Sequence, residues 1–368
     1  MTEVFLVNKR KLVFENGREF HGYSFGTEDN IVGELVFCTS MVGYQEIVTN
    51  PAYKGMIVMF TYPVIGSYGL SDEDYESGAI TIAGLVVREY NDFPSNFRYT
   101  KTLAEAMEEY GVPGIYGLDT REITEMLRET GIIRAALVDS SLTHEEIKNL
   151  FIKSNSSPLL SEVSSRKIWY SRTPNYRYNV VALDCGITNS AIKSLKQRGC
   201  NVIVVPYDTS HERILSFNPH GIYISDGPGY PNDIEIVVNA IESLKGEIPI
   251  LGVGLGMLAI AKAYGASIDE KRVMHFGSNH PVKNLVNEKI EIPAQNHSYI
   301  MSEENLKKTD ITVTNRNIID NTVEGIRIKG KPISAVAFTP EVTVDDTGTA
   351  YIYDNFLDDI LTNTEGRN

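Results

Sequence analysis

The segment with the most chemical content is Gly252-Val253-Gly254-Leu255-Gly256, where the apolar run Pro249 to Val253 passes directly into a helical pattern. This is the frame of a nucleophile elbow. The outer glycines let strand and helix approach closely, and the middle residue holds a strained conformation beside a helix N-terminus, its side chain aimed at substrate. Acyl transfer at such a turn needs an attacking atom in the middle position. That position is Gly254, which has none. Glycine-rich strand-to-helix turns also occur as plain packing devices, so the spacing alone leaves both readings open. A second pair, Gly227 and Gly229, lacks side chains that would cover the backbone N–H groups, as a loop facing a carboxylate or an oxyanion requires.

Other sources of reactivity are few. Cys38, Cys185 and Cys200 are the only cysteines and show no CxxC spacing, so neither a disulfide framework nor a thiolate zinc site is indicated, and a reducing cytoplasm is expected. Cys185 follows the first strand of the second half and reads as a small buried hydrophobe, with a relocated nucleophile as the alternative. Cys38 and Cys200 match no nucleophile motif. No His-x-x-x-His pair or Cys/His cluster is present, so no metal is expected, and Asp345-Asp346 and Asp358-Asp359 read as solvated faces.

The elements that must position the turn come from a chain of 368 residues, a length suited to two domains. With 42% hydrophobic and 22% charged residues it can bury sizeable cores. The net charge of -14 repels phosphate backbones and anionic lipid, so neither nucleic acid nor a membrane surface is an expected partner. No apolar run reaches the roughly 18 residues of a membrane span, and the N-terminus shows no signal-peptide core.

Residues 1 to 153 mix short strands (Lys11 to Phe14, Gly33 to Cys38, Met56 to Tyr62, Ala79 to Val87) with few helices, which predicts an α+β domain. Asp119 with Glu122 at capping-box spacing opens its clearest helix, which Gly131 can end, and Thr143 with Glu146 opens another that runs to Lys153. Residues 154 to 178, rich in Ser, Pro, Tyr and basic residues, read as a linker. From 179 to 368 buried apolar runs (Val180 to Asp184, Val202 to Pro206, Gly221 to Ser225, Ile248 to Val253) alternate with helices near Ser190 to Arg198, Asp233 to Lys245 and Gly256 to Tyr264. That alternation predicts a parallel sheet in a three-layer α/β/α architecture. Ligands then gather beyond the carboxyl ends of the strands, at the loops after Asp184, Ser225, Val253 and the strand ending near Phe338.

The chain resembles, from end to end, the small subunit of carbamoyl-phosphate synthetase, a family that joins an N-terminal domain of its own to a class I, triad-type glutamine amidotransferase domain. The N-terminal match rests on Thr39-Ser-Met-Val-Gly-Tyr-Gln-Glu46, Phe60-Thr-Tyr-Pro63, Gly66-Ser-Tyr-Gly69, Gly84-Leu-Val-Val-Arg88, Pro94-Ser-Asn96 and Gly114-Ile-Tyr-Gly-Leu-Asp-Thr-Arg121. The C-terminal match rests on Leu183-Asp-Cys-Gly186, Ser225-Asp-Gly-Pro-Gly229, the elbow at Gly252, Asn279-His-Pro-Val282, Gln295-Asn-His297, Val323-Glu-Gly-Ile-Arg327 and Phe338-Thr-Pro-Glu341.

The resemblance departs where chemistry would sit. Family members that hydrolyse glutamine carry Cys at the position of Gly254, His-Gln at Met257-Leu258 and His at Thr339, ahead of the retained Glu341. A thiolate must attack the amide carbon, and an imidazole must take its proton and return it to leaving ammonia. A Thr hydroxyl cannot relay protons near neutrality. The resemblance therefore implies that no catalytic triad is intact and that glutaminase activity is absent. Ser40, Gly227, Gly229, Leu255, Leu258, Asn296, Ser298 and Tyr299 fall on or beside positions that contact glutamine in the family, with Leu258 and Ser298 departing from its pattern. His280 and His297 lie in retained motifs, where a packing or positioning role is expected. Thr188 and Ser190 replace the usual Lys and Asn.

What the resemblance implies for function is a subunit that docks on a large synthetase subunit and supports carbamoyl phosphate synthesis from ATP, bicarbonate and external ammonia. ATP and Mg2+ would belong to that large subunit, with no cofactor on this chain and glutamine as a candidate ligand. The alternative is a free-standing pseudoenzyme with a binding or regulatory role.

Overall fold

Asp119 caps a helix as its spacing predicts. Its carboxylate accepts the N–H groups of Arg121 and Glu122, both at 3.1 Å, and the helix Thr120–Thr130 ends at Gly131 with φ 78°. Glu122 does not close a box here, because its side chain reaches Arg18 at 2.7 Å instead. The second capping box forms: Thr143 Oγ1 accepts from Glu146 N while Glu146 Oε2 accepts from Thr143 N, opening the helix His144–Lys153. The computed structural model describes residues 8–154, 159–244, 246, 248–269, 272–304, 306–341 and 348–366. The expected acidic pair Asp345-Asp346 lies outside them. The chain divides into two units, Met1–Ser157 and Pro158–Asn368.

The first unit is built on a closed barrel. Its seven strands run in the order Lys9–Phe14, Glu19–Gly26, Pro113–Tyr116, Gly84–Val87, Met56–Phe60, Ile31–Cys38 and Ile133–Asp139, which pairs back onto the first. Closure leaves no exposed edge. Arg10 is 2% exposed, and its guanidinium donates to the carbonyls of Thr27, Asp29 and Leu137 at 3.0, 2.6 and 3.1 Å. Two of the recognised motifs tie one corner. Gln45 and Ser71 exchange two hydrogen bonds, at 2.6 and 2.8 Å, and Tyr44 stacks on Tyr68 at 4.0 Å while its hydroxyl donates to the Gly69 carbonyl.

The second unit holds a ten-stranded sheet. Five strands are parallel, in the order Cys200–Pro206, Tyr178–Asp184, Gly221–Ile224, Ile250–Val253, Ile333–Val336. Period-2 alternation builds its layers: Val181, Leu183, Ile222 and Ile224 enter one core, while Val180, Ala182 and Tyr223 enter the other with Phe356 and Ile360 of the C-terminal helix Tyr351–Glu365. Beyond Ile333–Val336 the sheet continues antiparallel through Val323–Ile328, Ile311–Asn317, Val282–Asn284 and Ile290–Glu291. A separate three-stranded sheet joins His275–Gly277, Ala294–His297 and Phe338–Thr339. Part of the stretch expected as a linker is structured: Leu159–Val163 is helical, and Trp169–Ser171 pairs antiparallel with Cys200–Pro206. Its Ser/Tyr-rich composition hides an edge strand too short to show a period.

Candidate functional site

The elbow forms as its spacing requires. Strand Ile250–Val253 lies between two parallel neighbours and turns at Gly254 into the helix Leu255–Ala263. A Cβ at Gly252 would meet Ile260 Cδ1 at 2.6 Å, and one at Gly256 would meet the Ile224 carbonyl oxygen at 2.4 Å. Only glycine lets strand and helix come this close. Gly254 adopts φ 55° and ψ -114°, in a region that favours glycine, and its N–H donates to the Val336 carbonyl at 2.8 Å.

The space before Gly254 is filled by Asp226. A Cβ on Gly254 would lie 1.9 Å from Asp226 Oδ1 and 2.2 Å from its Cγ. The same Oδ1 accepts the N–H of Leu255 at 2.9 Å and that of Gly227 at 2.8 Å. A carboxylate oxygen thus sits on two backbone donors, one from the helix N-terminus and one from the glycine loop, an arrangement that holds a negative oxygen well. Burial pushes the Asp226 carboxyl up to about 6 against the opposing pull of those two N–H groups and of His297.

The glycine loop is pressed against the loop after the first parallel strand, since a Cβ on Gly227 would lie 1.9 Å from the Cys185 carbonyl oxygen. Asp184 fixes that loop by accepting from Gly186 N and Ile187 N with one oxygen and from Ser165 with the other. Cys185 is 1% exposed, and burial pushes its thiol far above the ordinary value, with Asp184 and Asp226 adding to the effect. A relocated thiolate nucleophile is therefore disfavoured there. Gly229 takes φ 120°, and beyond it Tyr230 meets Tyr299 edge-on at 6.2 Å with the Arg272 guanidinium over both rings.

The remaining expected residues lie on several separate elements. Thr339 pairs with Ala294 across the three-stranded sheet, and its hydroxyl accepts from Asn296 Nδ2 at 3.4 Å. Ser298 is buried and accepts from Arg272 at 3.3 Å. Met257 and Leu258 lie in the apolar core of the second unit. Glu341 is exposed, and its N–H donates to Thr349 Oγ1 at 2.9 Å. Thr188 caps the helix Asn189–Gln197 by accepting from Ala191 N. Ser40 belongs to the first unit, where it is buried and hydrogen-bonded to Cys38.

One grouping is absent from the sequence expectations, which considered only His and Cys spacing along the chain. His275, His297 and Glu324, all buried, bring one ligand atom each to within 4.8 Å of one another. Their chain positions lie in three separate segments, so no local spacing announces them. Pairing of His275 opposite His297 in the three-stranded sheet, above Glu324 of the large sheet, creates the group. Burial alone would lower His275, but its hydrogen bonds to Asp320 and Glu324 outweigh this and hold it up at about 9. Burial, with the charge of His275, drives the neighbouring His280 down to about 4.

Comparison with known proteins places both halves. Residues 12–137 match the family described as carbamoyl-phosphate synthase small chain, CPSase domain, and residues 181–359 match glutamine amidotransferase class-I. The carbamoyl phosphate synthase small chain of Staphylococcus saprophyticus is 40% identical over 357 residues, 96% of each chain. That of Fusobacterium nucleatum is 39% identical over 358 residues, covering 96% of this chain and 99% of its own. Among solved structures, a glutamine amidotransferase from Thermotoga maritima is 15% identical with a TM-score of 0.38, covering 52% of this chain and 86% of its own. With a small-chain domain followed in sequence by a class-I amidotransferase domain, and 39–40% identity to these relatives over 96% of its length, the chain belongs to the carbamoyl phosphate synthase small-chain family.

Proposed function

We propose that this chain is the amidotransferase-like small subunit of a carbamoyl-phosphate synthetase, that it has no glutaminase activity, and that it serves synthesis of carbamoyl phosphate from ATP, bicarbonate and ammonia on a large subunit. The observation that carries the loss of activity is Asp226. Its Oδ1 fills the space before Gly254 and takes the N–H groups of Leu255 and Gly227. In an active elbow those donors would stabilise the oxygen of a tetrahedral intermediate, beside a thiolate. Here the donors already hold a negative oxygen, and the attacking sulfur is missing.

The other family positions agree. Thr339, where an imidazole would be needed, has only a hydroxyl, and Glu341 without that imidazole has nothing to orient. Glutamine at Gly227, Gly229, Leu255, Leu258, Asn296, Ser298 and Tyr299 would meet a carboxylate instead of free donors, so productive binding is not expected. On this reading the chain uses no catalytic cofactor, ATP and Mg2+ belong to the large subunit, and the pair works in the cytoplasm. All three cysteines are buried free thiols, which suits a reducing setting, and no described helix is long and apolar enough to cross a membrane.

The barrel unit supports the large-subunit partner over a free-standing role, because it matches the synthase-specific domain along residues 12–137 although the triad positions have changed. Co-expression with a large synthetase subunit, followed by affinity purification through either partner, tests the assembly. A stable equimolar complex is expected. Recovery of the small chain alone at concentrations that saturate other small subunits supports the free-standing alternative instead.

A further inference from the structure

The geometry points to a divalent transition-metal site, of the zinc class, formed by His275, His297 and Glu324; we propose that the ion clamps the three-stranded sheet to the large sheet. The argument begins with the outer nitrogen of each ring. His275 Nε2 lies 2.7 Å from Asp320 Oδ2, and His297 Nδ1 lies 3.2 Å from the Tyr299 carbonyl oxygen. Both oxygens only accept, so both outer nitrogens carry a proton. The inner nitrogens, His275 Nδ1 and His297 Nε2, then face the same buried carboxylate, at 3.3 Å from Glu324 Oε1 and 3.2 Å from Oε2. Where the inner nitrogens are neutral, their lone pairs face a carboxylate, and a cation between the three groups satisfies all of them. Ligand-to-ligand gaps of this size are what a tetrahedral ion with bonds of roughly 2.0–2.2 Å spans.

The outer partners fit as well. Histidine ligands donate their second N–H to a carboxylate or a carbonyl, which fixes tautomer and ring orientation, and Asp320 and Tyr299 do this here. Thr322 in turn donates to Asp320 Oδ1 and lies within hydrogen-bond distance of Glu324 Oε1, both at 2.8 Å. A second, independent sign is a concentration of buried polar atoms without hydrogen-bond partners among the described residues. His280 Nε2 and both amide atoms of Gln295 are such atoms. The His280 ring is 5.1 Å from that of His275, and Gln295, fully buried, is two residues before His297 on the same strand face. Unpaired buried atoms in one cluster call for a bound ion or water. Protonated rings would also neutralise Glu324, so a metal must displace protons here, as it does at every imidazole site.

The consequence reaches the elbow's surroundings. His297 directly follows Asn296 on the strand that pairs with Phe338–Thr339, so an ion at His297 fixes that strand against Glu324.

The test uses the full chain, stripped with a chelator, dialysed, and titrated with Zn2+ and with Co2+ as a coloured substitute. One equivalent per chain, a rise in Tm, and visible absorption from cobalt in a tetrahedral field are expected. Glu324→Gln and His275→Asn should abolish that equivalent. Asp320→Asn, which leaves all three ligands in place, should weaken affinity by about 10- to 100-fold. Circular dichroism of each stripped variant establishes that it is folded. A folded, stripped chain that binds neither metal saturably overturns the proposal, as does an equivalent that survives Glu324→Gln and Asp320→Asn unchanged.

Discussion

Asp226 and Gly254 share one space: a Cβ on the glycine would stand 1.9 Å from the aspartate's Oδ1. The two residues are therefore coupled. Gly254→Cys by itself should restore no glutaminase activity and should lower stability, with overpacking of this kind costing about 1–3 kcal/mol. Asp226→Gly in the same chain should recover most of that loss. A double-mutant cycle from urea melts measures the coupling, and additive effects would contradict the shared space.

Asp226 also sets a pH dependence. Its folded value of about 6 lies above the ordinary 3.8, so between those pH values the folded chain binds more protons than the unfolded one. Stability attributable to this group falls as pH rises through that window, and the penalty is complete above about 6, amounting to at most about 3 kcal/mol. Asp226→Asn keeps an oxygen for both N–H donors without the charge. The variant should be more stable than the parent at pH 8 and equal to it at pH 3.5, as read by denaturant unfolding at the two pH values.

In the first unit, Arg10 provides the donors for the carbonyls of Thr27, Asp29 and Leu137. Arg10→Met removes them all and should cost about 1–3 kcal/mol, chiefly through the buried Leu137 carbonyl left without a partner. Equilibrium unfolding of the first unit's signal measures it.

The thiols should be inert. Burial pushes Cys38 and Cys185 above the ordinary value, and Cys200 to about 11. An alkylating reagent at pH 7.5 should label none of them in the folded chain and all of them in denaturant, as counted by intact mass. Rapid native labelling at Cys185 would reopen the relocated-nucleophile alternative.

Much of this organisation was legible because it is local. Continuous apolar runs placed four of the parallel strands, and the Asp119 and Thr143 caps fixed two helix starts within a residue. Glycine spacing located the elbow. Closure of the barrel was not legible, since it depends on pairing between Lys9–Phe14 and Ile133–Asp139, distant in the chain. The same holds for the His275, His297 and Glu324 group. Asp226 was visible only as a letter beside Gly227; that its carboxylate turns onto the Leu255 N–H follows from two loops meeting at adjacent strand ends.

The central claim is that glutamine is not hydrolysed at the elbow. The most direct measurement is carbamoyl phosphate formation by the purified complex with its large subunit, at saturating ATP and bicarbonate, comparing glutamine with ammonium chloride as nitrogen source. Ammonia-driven turnover with no glutamine-driven turnover above the contaminating-ammonia background is expected. Glutamine-driven turnover comparable to the ammonia rate, with matching glutamate release, would contradict the account.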